Sequence, residues 1–171
     1  MKILKEIIPY VVIVVVVLII RTYIVTPVKV QGDSMVPTLK DKEILLLKKY
    51  DTKYERFDII VFKTDDSKLV KRVIGLPGEH VKYVDNKLYI NNKIVKDVVI
   101  EKTEDFDLNS IGHNKIPEGY YFVLGDNRDN STDSRLIGLI SEKTILGTTS
   151  FSIFPFSNFG KIKWVITFFV L

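Results

Sequence analysis

The sequence predicts a mostly β protein that begins with a single transmembrane helix and carries a small inserted β-hairpin lobe. One observation is a run of apolar residues over positions 7–20, which only Pro9 and Tyr10 interrupt. Another is a series of short segments rich in β-branched and aromatic residues, which follow the run and are separated by polar or Gly/Pro breaks. At 171 residues, the chain has room for one domain of ordinary size plus an anchor.

Residues 1–27 are predicted to be an uncleaved membrane anchor. A helix needs about 20 residues to cross a bilayer, and the uncharged run is shorter than that. Arg21 can extend its charge to the interface and Tyr23 suits the headgroup layer, so residues 7–25 can span the membrane. A cleavable signal peptide would need small residues at its cleavage site, and residues 20–30 do not offer them. A buried core helix would show a polar face, which the apolar run lacks. Positive charges flank both ends of the run, so the sequence leaves its orientation open.

The segments after the anchor are predicted to form one main β domain, residues 28–79 and 119–171. Its strands are expected at residues 28–30, 43–48, 58–63, 69–74, 120–124 and 144–154. Residues 80–118 are predicted to be the inserted lobe, because turn signals rich in Asn and Asp separate short strand patterns there and the remainder is acidic and irregular. The apolar end, residues 164–171, is too short to span a membrane and is expected to add a strand or to rest on the membrane.

The composition narrows the range of partners and of chemistry. A net charge of +4 and an isoelectric point near 9.1 mildly favour an anionic membrane surface. The 25 basic residues are spread among 21 acidic ones, and because nucleic-acid binding needs a clustered basic patch, no nucleic-acid partner is expected. The absence of cysteine excludes disulfides, thiol chemistry and cysteine-based zinc sites. Two histidines are too few for a rich metal site, so we expect neither a metal nor a cofactor.

Residues 32–39, which read Gly-Asp-Ser-Met-Val-Pro-Thr-Leu, are typical of a tight turn. Pro37 fixes its own backbone angle, and the side chains of Asp33 and Thr38 can bond nearby backbone groups. A serine on such a turn, Ser34, can be presented to a partner instead of being buried in a core. Capping of a helical turn by Asp33 or Ser34 explains the same residues about equally well.

A candidate base for this serine lies at residue 71. A serine hydroxyl is a weak nucleophile and needs a base, and a lysine can serve if burial keeps its amine neutral. The strand period of two places Lys71 on the same face as apolar neighbours, with Arg72 on the opposite face. A lysine in a strand is more often an exposed edge residue, so the catalytic interpretation depends on its pairing with the Ser34 turn.

Residues 124–135, Leu-Gly-Asp-Asn-Arg-Asp-Asn-Ser-Thr-Asp-Ser-Arg, hold three aspartates. A calcium loop of the EF-hand type needs a glycine at its sixth position and a glutamate at its twelfth. Counted from Asp129, those positions hold Ser134 and Ile140, so a metal site is disfavoured. The stretch suits a rigid loop in which Asp/Arg pairs form charge-assisted hydrogen bonds.

Three stretches together resemble a known family. Residues 32–39, residues 70–79 (Val-Lys-Arg-Val-Ile-Gly-Leu-Pro-Gly-Glu) and residues 124–135 resemble, in that order along the chain, the serine, lysine and aspartate-rich boxes of the type I signal peptidases. The resemblance runs from the apolar segment to about Phe156 and is nearest to the short, single-anchor, Gram-positive-like members. It implies a membrane-bound serine endopeptidase with Ser34 as nucleophile and Lys71 as general base. It also implies a cytoplasmic N-terminus and a catalytic domain on the extracytoplasmic face of the plasma membrane.

The resemblance also implies supporting roles for residues around the base. The ion pairs that it implies are Arg72 with Asp126 and Arg135 with Asp133. Ser131 matches the family's second serine, whose hydroxyl helps to orient the lysine. Such groups keep a site preorganised without acting on the substrate.

The tetrahedral intermediate needs donors to its oxyanion, and the backbone N–H of Ser34 is a natural one. Some members of the family have a serine hydroxyl two residues before the nucleophile. Gly32 occupies that position here, so any second donor must come from elsewhere.

The resemblance implies that the substrates are exported preproteins with small residues at positions −1 and −3 of the cut. An exposed strand edge near Ser34 could bind such a peptide by β-addition. Val30 and Met35 are candidates for lining the side-chain pockets, and they could equally dip into membrane lipid or pack in the core.

Three other functions are weighed against this one. A self-cleaving Ser/Lys peptidase of the repressor type shares the dyad, but its DNA-binding half would stand where the apolar run is. A non-catalytic, membrane-anchored β domain that binds peptides would keep its function without Ser34. A Ser/His/Asp hydrolase would use His80 or His113, neither of which lies in a recognisable motif.

Overall fold

The structure, a computed structural model, describes residues 2–51, 53–99 and 101–162. The chain begins with helix α1, Lys2–Ile19, and continues through a π-helical turn, Ile20–Ile24. Within these ranges, no helix combines the length and the hydropathy needed to cross a membrane. The transmembrane helix expected within residues 1–27 therefore stays a prediction. The apolar end, residues 164–171, lies outside the described residues.

The described residues form twelve β-strands and one further short α-helix. The strands are β1 Val25–Lys29, β2 Ile44–Lys48, β3 Ile59–Lys63, β4 Lys68–Gly75, β5 Val81–Val84, β6 Lys87–Ile90, β7 Lys93–Val95, β8 Phe106–Asp107, β9 Tyr120–Leu124, β10 Ile140–Ser141, β11 Ile145–Phe154 and β12 Gly160–Lys161. Helix α2, Ser134–Ile137, follows the aspartate-rich stretch. The mostly β fold expected from the sequence is confirmed.

Eight strands form one antiparallel sheet in the order β1-β2-β11-β3-β4-β9-β10, and β12 pairs with β11. β1 begins at Val25, three residues before the expected start, and it includes Pro27. The expected strand began just after this proline, which cannot donate to a strand partner. Because β1 lies at the edge of the sheet, Pro27 can sit opposite Leu46 of β2 and leave no partner on its other side unsatisfied.

The burial patterns explain why these segments become strands. In β2, Leu45 and Leu47 are buried and their neighbours are partly exposed, which matches a sheet with one covered face. In β3, four consecutive residues from Ile59 are buried, so this central strand is covered on both faces. Two apolar clusters on the main sheet result, one beneath β1 and β2 and the other centred on β3 and β9.

The remaining four strands form a second antiparallel sheet in the order β7-β6-β5-β8. Its two hairpin turns lie where Asn and Asp cluster in the sequence. Asp85 and Asn86 have positive φ angles of 49° and 61°, and Asn91 and Asn92 have 49° and 64°. Asparagine and aspartate adopt this left-handed conformation more readily than other side-chain-bearing residues, so these turns suit tight hairpins. β8 lies in the part that the sequence suggested was irregular, and it pairs with β5.

The two sheets share a core. Val81 and Tyr83 of the small sheet pack in one apolar cluster with Ile74 and Phe122 of the main sheet. The ring of Phe106 stacks on that of Phe122 with centroids 5.1 Å apart. The small sheet is therefore joined to the main sheet by buried apolar contacts on β4 and β9. Strand β4 carries Lys71, and strand β9 leads into the aspartate-rich loop.

Candidate active site

Ser34 lies on a turn that its neighbours hold in place. Met35 and Leu39 of the same turn are buried in the apolar cluster beneath β1 and β2, while Ser34 remains partly exposed. Gly32 has a φ of +82°, which glycine adopts without strain, and its N–H donates to Asp41 Oδ1 at 2.9 Å. The N–H of Ser34 donates to no acceptor within the described residues. The turn thus presents both the hydroxyl and a free amide of the same residue.

Lys71 is the hydrogen-bond partner of this serine. It lies on β4 opposite Ile60 of β3 and is only 2% exposed. Its Nζ donates to Ser34 Oγ at 2.6 Å. Burial lowers the pKa of Lys71 from 10.5 to about 8, because the charged amine loses hydration, and the carboxylates of Asp133 and Asp126 partly oppose that change. At about pH 8 roughly half of this amine is therefore neutral and able to act as a base, and the neutral fraction falls to about a tenth near pH 7.

Two bidentate ion pairs lie beside Lys71. Arg72 donates from Nε to Asp126 Oδ1 at 2.7 Å and from Nη2 to Asp126 Oδ2 at 2.5 Å, and both side chains are almost completely buried. Arg135 donates to both oxygens of Asp133, at 2.9 Å each. These are the two pairs that the resemblance implied. Planar, charge-assisted pairs of this kind fix the orientation of both partners.

The hydroxyl of Ser131, expected to orient the lysine, is buried and makes no hydrogen bond within the described residues. Its orienting role therefore stays a prediction. The side chain instead packs against Gly125, where an added Cβ would collide with Ser131 and would lie 2.5 Å from the carbonyl oxygen of Ser34. At Gly125 the aspartate-rich loop therefore approaches the Ser34 turn too closely to leave room for a side chain.

Sequence reasoning missed two residues of the same loop. The backbone N–H of Asn127 donates to the carbonyl of Ser34 at 3.0 Å, and its side-chain amide donates to the carbonyl of Asp33 at 3.2 Å. Arg128 is buried and donates from Nε to the carbonyl of Gly125 at 3.0 Å. Both stand inside the quoted stretch, but no period or charge pattern separates them from ordinary loop residues.

A groove of about 420 Å³ leads to Ser34 and Lys71. Its walls come from residues 26–31, at the outer edge of β1, and residues 66–71, at the start of β4. β9 begins to pair with β4 only at Arg72, so the edge of β4 before that residue has no strand partner within the described residues. Val30 and Met35, the predicted substrate contacts, line this groove and also belong to the buried core. Of the roles expected for these two side chains, lining a substrate groove and packing in the core are therefore compatible, because buried side chains can form the floor of the groove.

Both histidines lie in the small lobe, away from Ser34. His80 Nδ1 lies 2.7 Å from the carbonyl oxygen of Asn114, and its Nε2 lies 3.4 Å from Asp107 Oδ1. His113 follows the 3-10 turn Leu108–Ile111 in the same region. In the described ranges, no group of three or more acidic or histidine side chains is arranged to hold a metal ion.

Comparison with known proteins points to one family. The family model described as signal peptidase, peptidase S26, matches residues 3–154. Signal peptidase I S of Bacillus subtilis (strain 168) is 42% identical over 160 residues, which cover 86% of this chain and 87% of that protein. Signal peptidase IB of Staphylococcus aureus (strain COL) is 39% identical over 179 residues, which cover 92% of this chain and 93% of that protein.

A solved structure agrees with these matches. The crystal structure of a signal peptidase I from Enterococcus faecalis V583 is 39% identical and superposes with a TM-score of 0.52. The match covers 56% of this chain and 96% of that one. The family model spans most of the chain, and the relatives are near 40% identical over most of their own length. All of them are named as the same class of enzyme. The chain therefore belongs to the signal peptidase family, peptidase S26, and is a peptide hydrolase of the serine endopeptidase class.

Proposed function

We propose that this chain removes signal peptides from exported preproteins, with Ser34 as nucleophile and Lys71 as general base. The observation that carries the proposal is the 2.6 Å hydrogen bond between Lys71 Nζ and Ser34 Oγ, which is made by a buried lysine of lowered pKa. The substrate class comes from the relatives, which are named signal peptidases. A histidine base is disfavoured because the contacts of His80 lie within the small lobe.

In the acylation step, neutral Lys71 accepts the proton of Ser34 Oγ as that oxygen attacks the carbonyl carbon of the scissile bond. The substrate oxygen becomes an oxyanion and accepts a hydrogen bond from the Ser34 N–H, which has no other acceptor among the described residues. When the intermediate collapses, the C–N bond breaks and the lysine gives its proton to the leaving amine. The mature protein leaves, and the signal peptide remains as an ester of Ser34.

In the deacylation step, water takes the place of the amine. Lys71, neutral again, accepts a proton from the water molecule whose oxygen attacks the ester carbon. The C–O bond to Ser34 then breaks and the serine oxygen recovers the proton from the lysine. The signal peptide leaves with a new carboxyl group, so each turnover consumes one water molecule and needs no cofactor.

The ion pairs of Arg72 with Asp126 and of Arg135 with Asp133 serve this chemistry indirectly. Each aspartate accepts two bonds from its arginine, and among the described residues neither carboxylate forms an ion pair with Lys71. A direct carboxylate partner would stabilise the charged amine and raise the pKa of the lysine. The pairs thus keep the loop close to the base without removing its ability to accept a proton.

The groove between β1 and β4 suits an extended peptide. Both of its walls are strand edges whose outward backbone groups have no strand partner among the described residues, so a signal peptide can add a strand there by main-chain hydrogen bonds. Alternate side chains of that strand would point at the floor formed by Val30 and Met35. Because this floor is closely packed, we expect small residues at positions −1 and −3 of the cut.

We assign residues 28–79 and 119–171 to the catalytic domain and residues 80–118 to a lobe that supplies no reacting group. Residues 1–27 are proposed to anchor the chain in the plasma membrane as a single pass, with the catalytic domain on the extracytoplasmic face. The last three of these residues, from Val25 onward, already belong to β1 of the main sheet, so the anchoring part ends before them. Support comes from α1, where the side chains of Ile7 to Ile19 are apolar, apart from the hydroxyl of Tyr10, and about half exposed, since lipid would remove that surface from water. Extraction of membranes with alkaline carbonate tests the anchor, because release of the full chain into the supernatant would contradict it.

The decisive experiment measures cleavage of a preprotein with an Ala-X-Ala site, in detergent. The variants are Ser34→Ala, Lys71→Ala and a His80→Ala/His113→Ala double variant, each checked for folding by circular dichroism. We expect the first two to be inactive and the histidine variant to keep its activity. Full activity of Lys71→Ala would refute the dyad. A folded wild type that cuts no preprotein would favour the peptide-binding domain, and cleavage of its own chain alone would favour the self-cleaving peptidase.

A further inference from the structure

Arg128 is a buried arginine that takes no part in the reaction proposed above. It lies in the aspartate-rich loop, and its side chain is 1% exposed. Burying a guanidinium costs free energy unless its donors find partners, so such a residue needs a structural or functional reason. Most of its partners lie outside its own loop.

Those partners belong to the small lobe. Arg128 Nη1 donates to Thr103 Oγ1 at 2.5 Å and to the hydroxyl of Tyr83 at 3.2 Å. Its Nη2 lies 2.8 Å from Asp97 Oδ2, an ion-pair contact that lacks hydrogen-bond geometry. The guanidinium also sits over the Tyr83 ring, 5.5 Å from the centroid. Tyr83 in turn donates to Asp97 at 2.6 Å. The guanidinium is therefore held by a ring hydroxyl, a threonine and a carboxylate that all come from the lobe.

The other end of the same residue holds the catalytic loop. Arg128 Nε donates to the carbonyl of Gly125, the residue packed against the Ser34 turn. The carbonyl of Arg128 accepts from Arg135 Nη2 at 2.6 Å, and Arg135 is the partner of Asp133. Between these two points, Asn127 bonds the nucleophile turn.

We propose that Arg128 is a positioning residue, through which the inserted lobe holds the aspartate-rich loop against Ser34 and Lys71. This inference rests on the proposed function of that pair. It gives the lobe a role in catalysis although the lobe contributes no reacting group, because Tyr83, Asp97 and Thr103 grip the loop through one side chain.

The pKa of Lys71 depends on whether the lobe holds the aspartate-rich loop in place. The charged groups near Lys71 are Asp126 and Asp133 of the loop, each paired to an arginine, and Arg72 next to it on β4. If the loop moves away, Lys71 loses burial and also loses the two carboxylates. Burial is the larger of these opposing effects, so its loss moves the pKa of Lys71 upward from about 8 toward 10.5.

The test compares Arg128→Lys and Tyr83→Phe with wild type in preprotein cleavage, from about pH 6.5 to about pH 10.5. Arg128→Lys keeps the charge but loses the fork, and Tyr83→Phe removes only one hydroxyl of the lobe. We expect kcat of Arg128→Lys near pH 8 to fall by about 10²-fold with KM changed by less than about threefold, the cost typical of misplaced catalytic groups. The acid limb of kcat/KM should move to higher pH in both variants, so that part of the lost rate returns at alkaline pH.

Arg56→Lys is the matched control. Arg56 is also largely buried and forms a bidentate pair, with Glu79, but it bonds the backbone at Ile74 and does not contact the loop. Its variant should lose stability and keep the acid limb of wild type. A merely structural role for Arg128 would give the same result as this control, with lower stability and an unmoved acid limb.

An acid limb that stays at the wild-type pH in both Arg128→Lys and Tyr83→Phe would overturn the inference, whatever happens to kcat. If Arg128→Lys does not fold, Tyr83→Phe alone decides, since it deletes a single oxygen atom. Ser34→Ala is included in the same series. If it remains active, the proposed function fails on its own terms, and that outcome is separate from any result at Arg128.

Discussion

Replacing Lys71 by methionine should make the protein more stable at neutral pH while abolishing its activity. Methionine has a similar length and no charge, so it can occupy the same buried position without the cost of desolvating an amine. The lowered pKa of Lys71 gives the size of that cost. The difference between 10.5 and about 8 corresponds to about 3 kcal/mol, at about 1.4 kcal/mol for each pH unit. The variant also loses the hydrogen bond to Ser34, which costs about 1 kcal/mol. The free energy of unfolding should therefore rise by a net of about 2 kcal/mol.

The sign of the effect depends on pH in a defined way. Below about pH 8, Lys71 is protonated in both the folded and the unfolded chain, and wild type carries the full cost. As pH rises from about 8 to 10.5, the folded state releases its proton before the unfolded state does, so wild type becomes more stable. The advantage of Lys71→Met should therefore be largest near pH 7 and should shrink by about pH 10.5.

Urea unfolding followed by circular dichroism, in detergent, measures this difference at both ends of the pH range. Lys68→Met is the matched control, because Lys68 lies on the same strand with an exposed side chain. Its free energy of unfolding should stay within about 0.5 kcal/mol of wild type. A Lys71→Met variant that is less stable than wild type at pH 7, or whose gain is equal at both pH values, would refute the view that this lysine is buried at a cost.

Three further predictions concern the same site. The kcat/KM for preprotein cleavage should fall below about pH 8, where Lys71 becomes protonated, and an acid limb near pH 6.5 would indicate a histidine base instead. Gly125→Ala should lower cleavage by at least about 10²-fold, because the new Cβ would displace the Ser34 turn, and an activity within about threefold of wild type would contradict the close approach. Asp126→Asn should lower the free energy of unfolding by about 3–5 kcal/mol, since it leaves the Arg72 charge buried without its counter-ion, and a loss below about 1 kcal/mol in urea would show that the pair is not needed.

Much of the fold was predictable because local patterns and tertiary packing agree. β9 occupies the expected residues 120–124, and β2, β3, β4 and β11 lie within a residue of the expected bounds at each end. The exceptions have physical causes. The first strand was expected only from residue 28, but it starts at Val25 and includes Pro27, which an edge strand tolerates although a proline cannot donate a backbone hydrogen bond. β8 is two residues long and is stabilised by its pairing with β5, which no local pattern can indicate.

The candidate site was predictable where chemistry demands an unusual residue. Burying a lysine among apolar strand residues costs free energy of folding, so such a residue indicates a function. The serine turn and the Asp/Arg-rich stretch indicated which function that is. Arg128 and Asn127 were not predictable in the same way. Their partners include backbone carbonyls of the Ser34 turn and side chains of the lobe, which are up to 94 residues away in the chain. Only the folded arrangement brings these groups within hydrogen-bonding distance.

Arg72 and Arg135 affect how the aspartate-rich loop changes the pKa of Lys71. A loop with acidic side chains close to Lys71 shields it from water, which favours the neutral amine, but the same carboxylates favour the charged one. Arg72 and Arg135 separate the two effects, because each binds both oxygens of one aspartate and lets the loop approach with its charge already matched. The loop can then exclude water from Lys71, while the paired carboxylates only partly oppose the effect of burial. A site built in this way sacrifices stability at Lys71 and depends on the rest of the fold, including the lobe, to hold the loop in place.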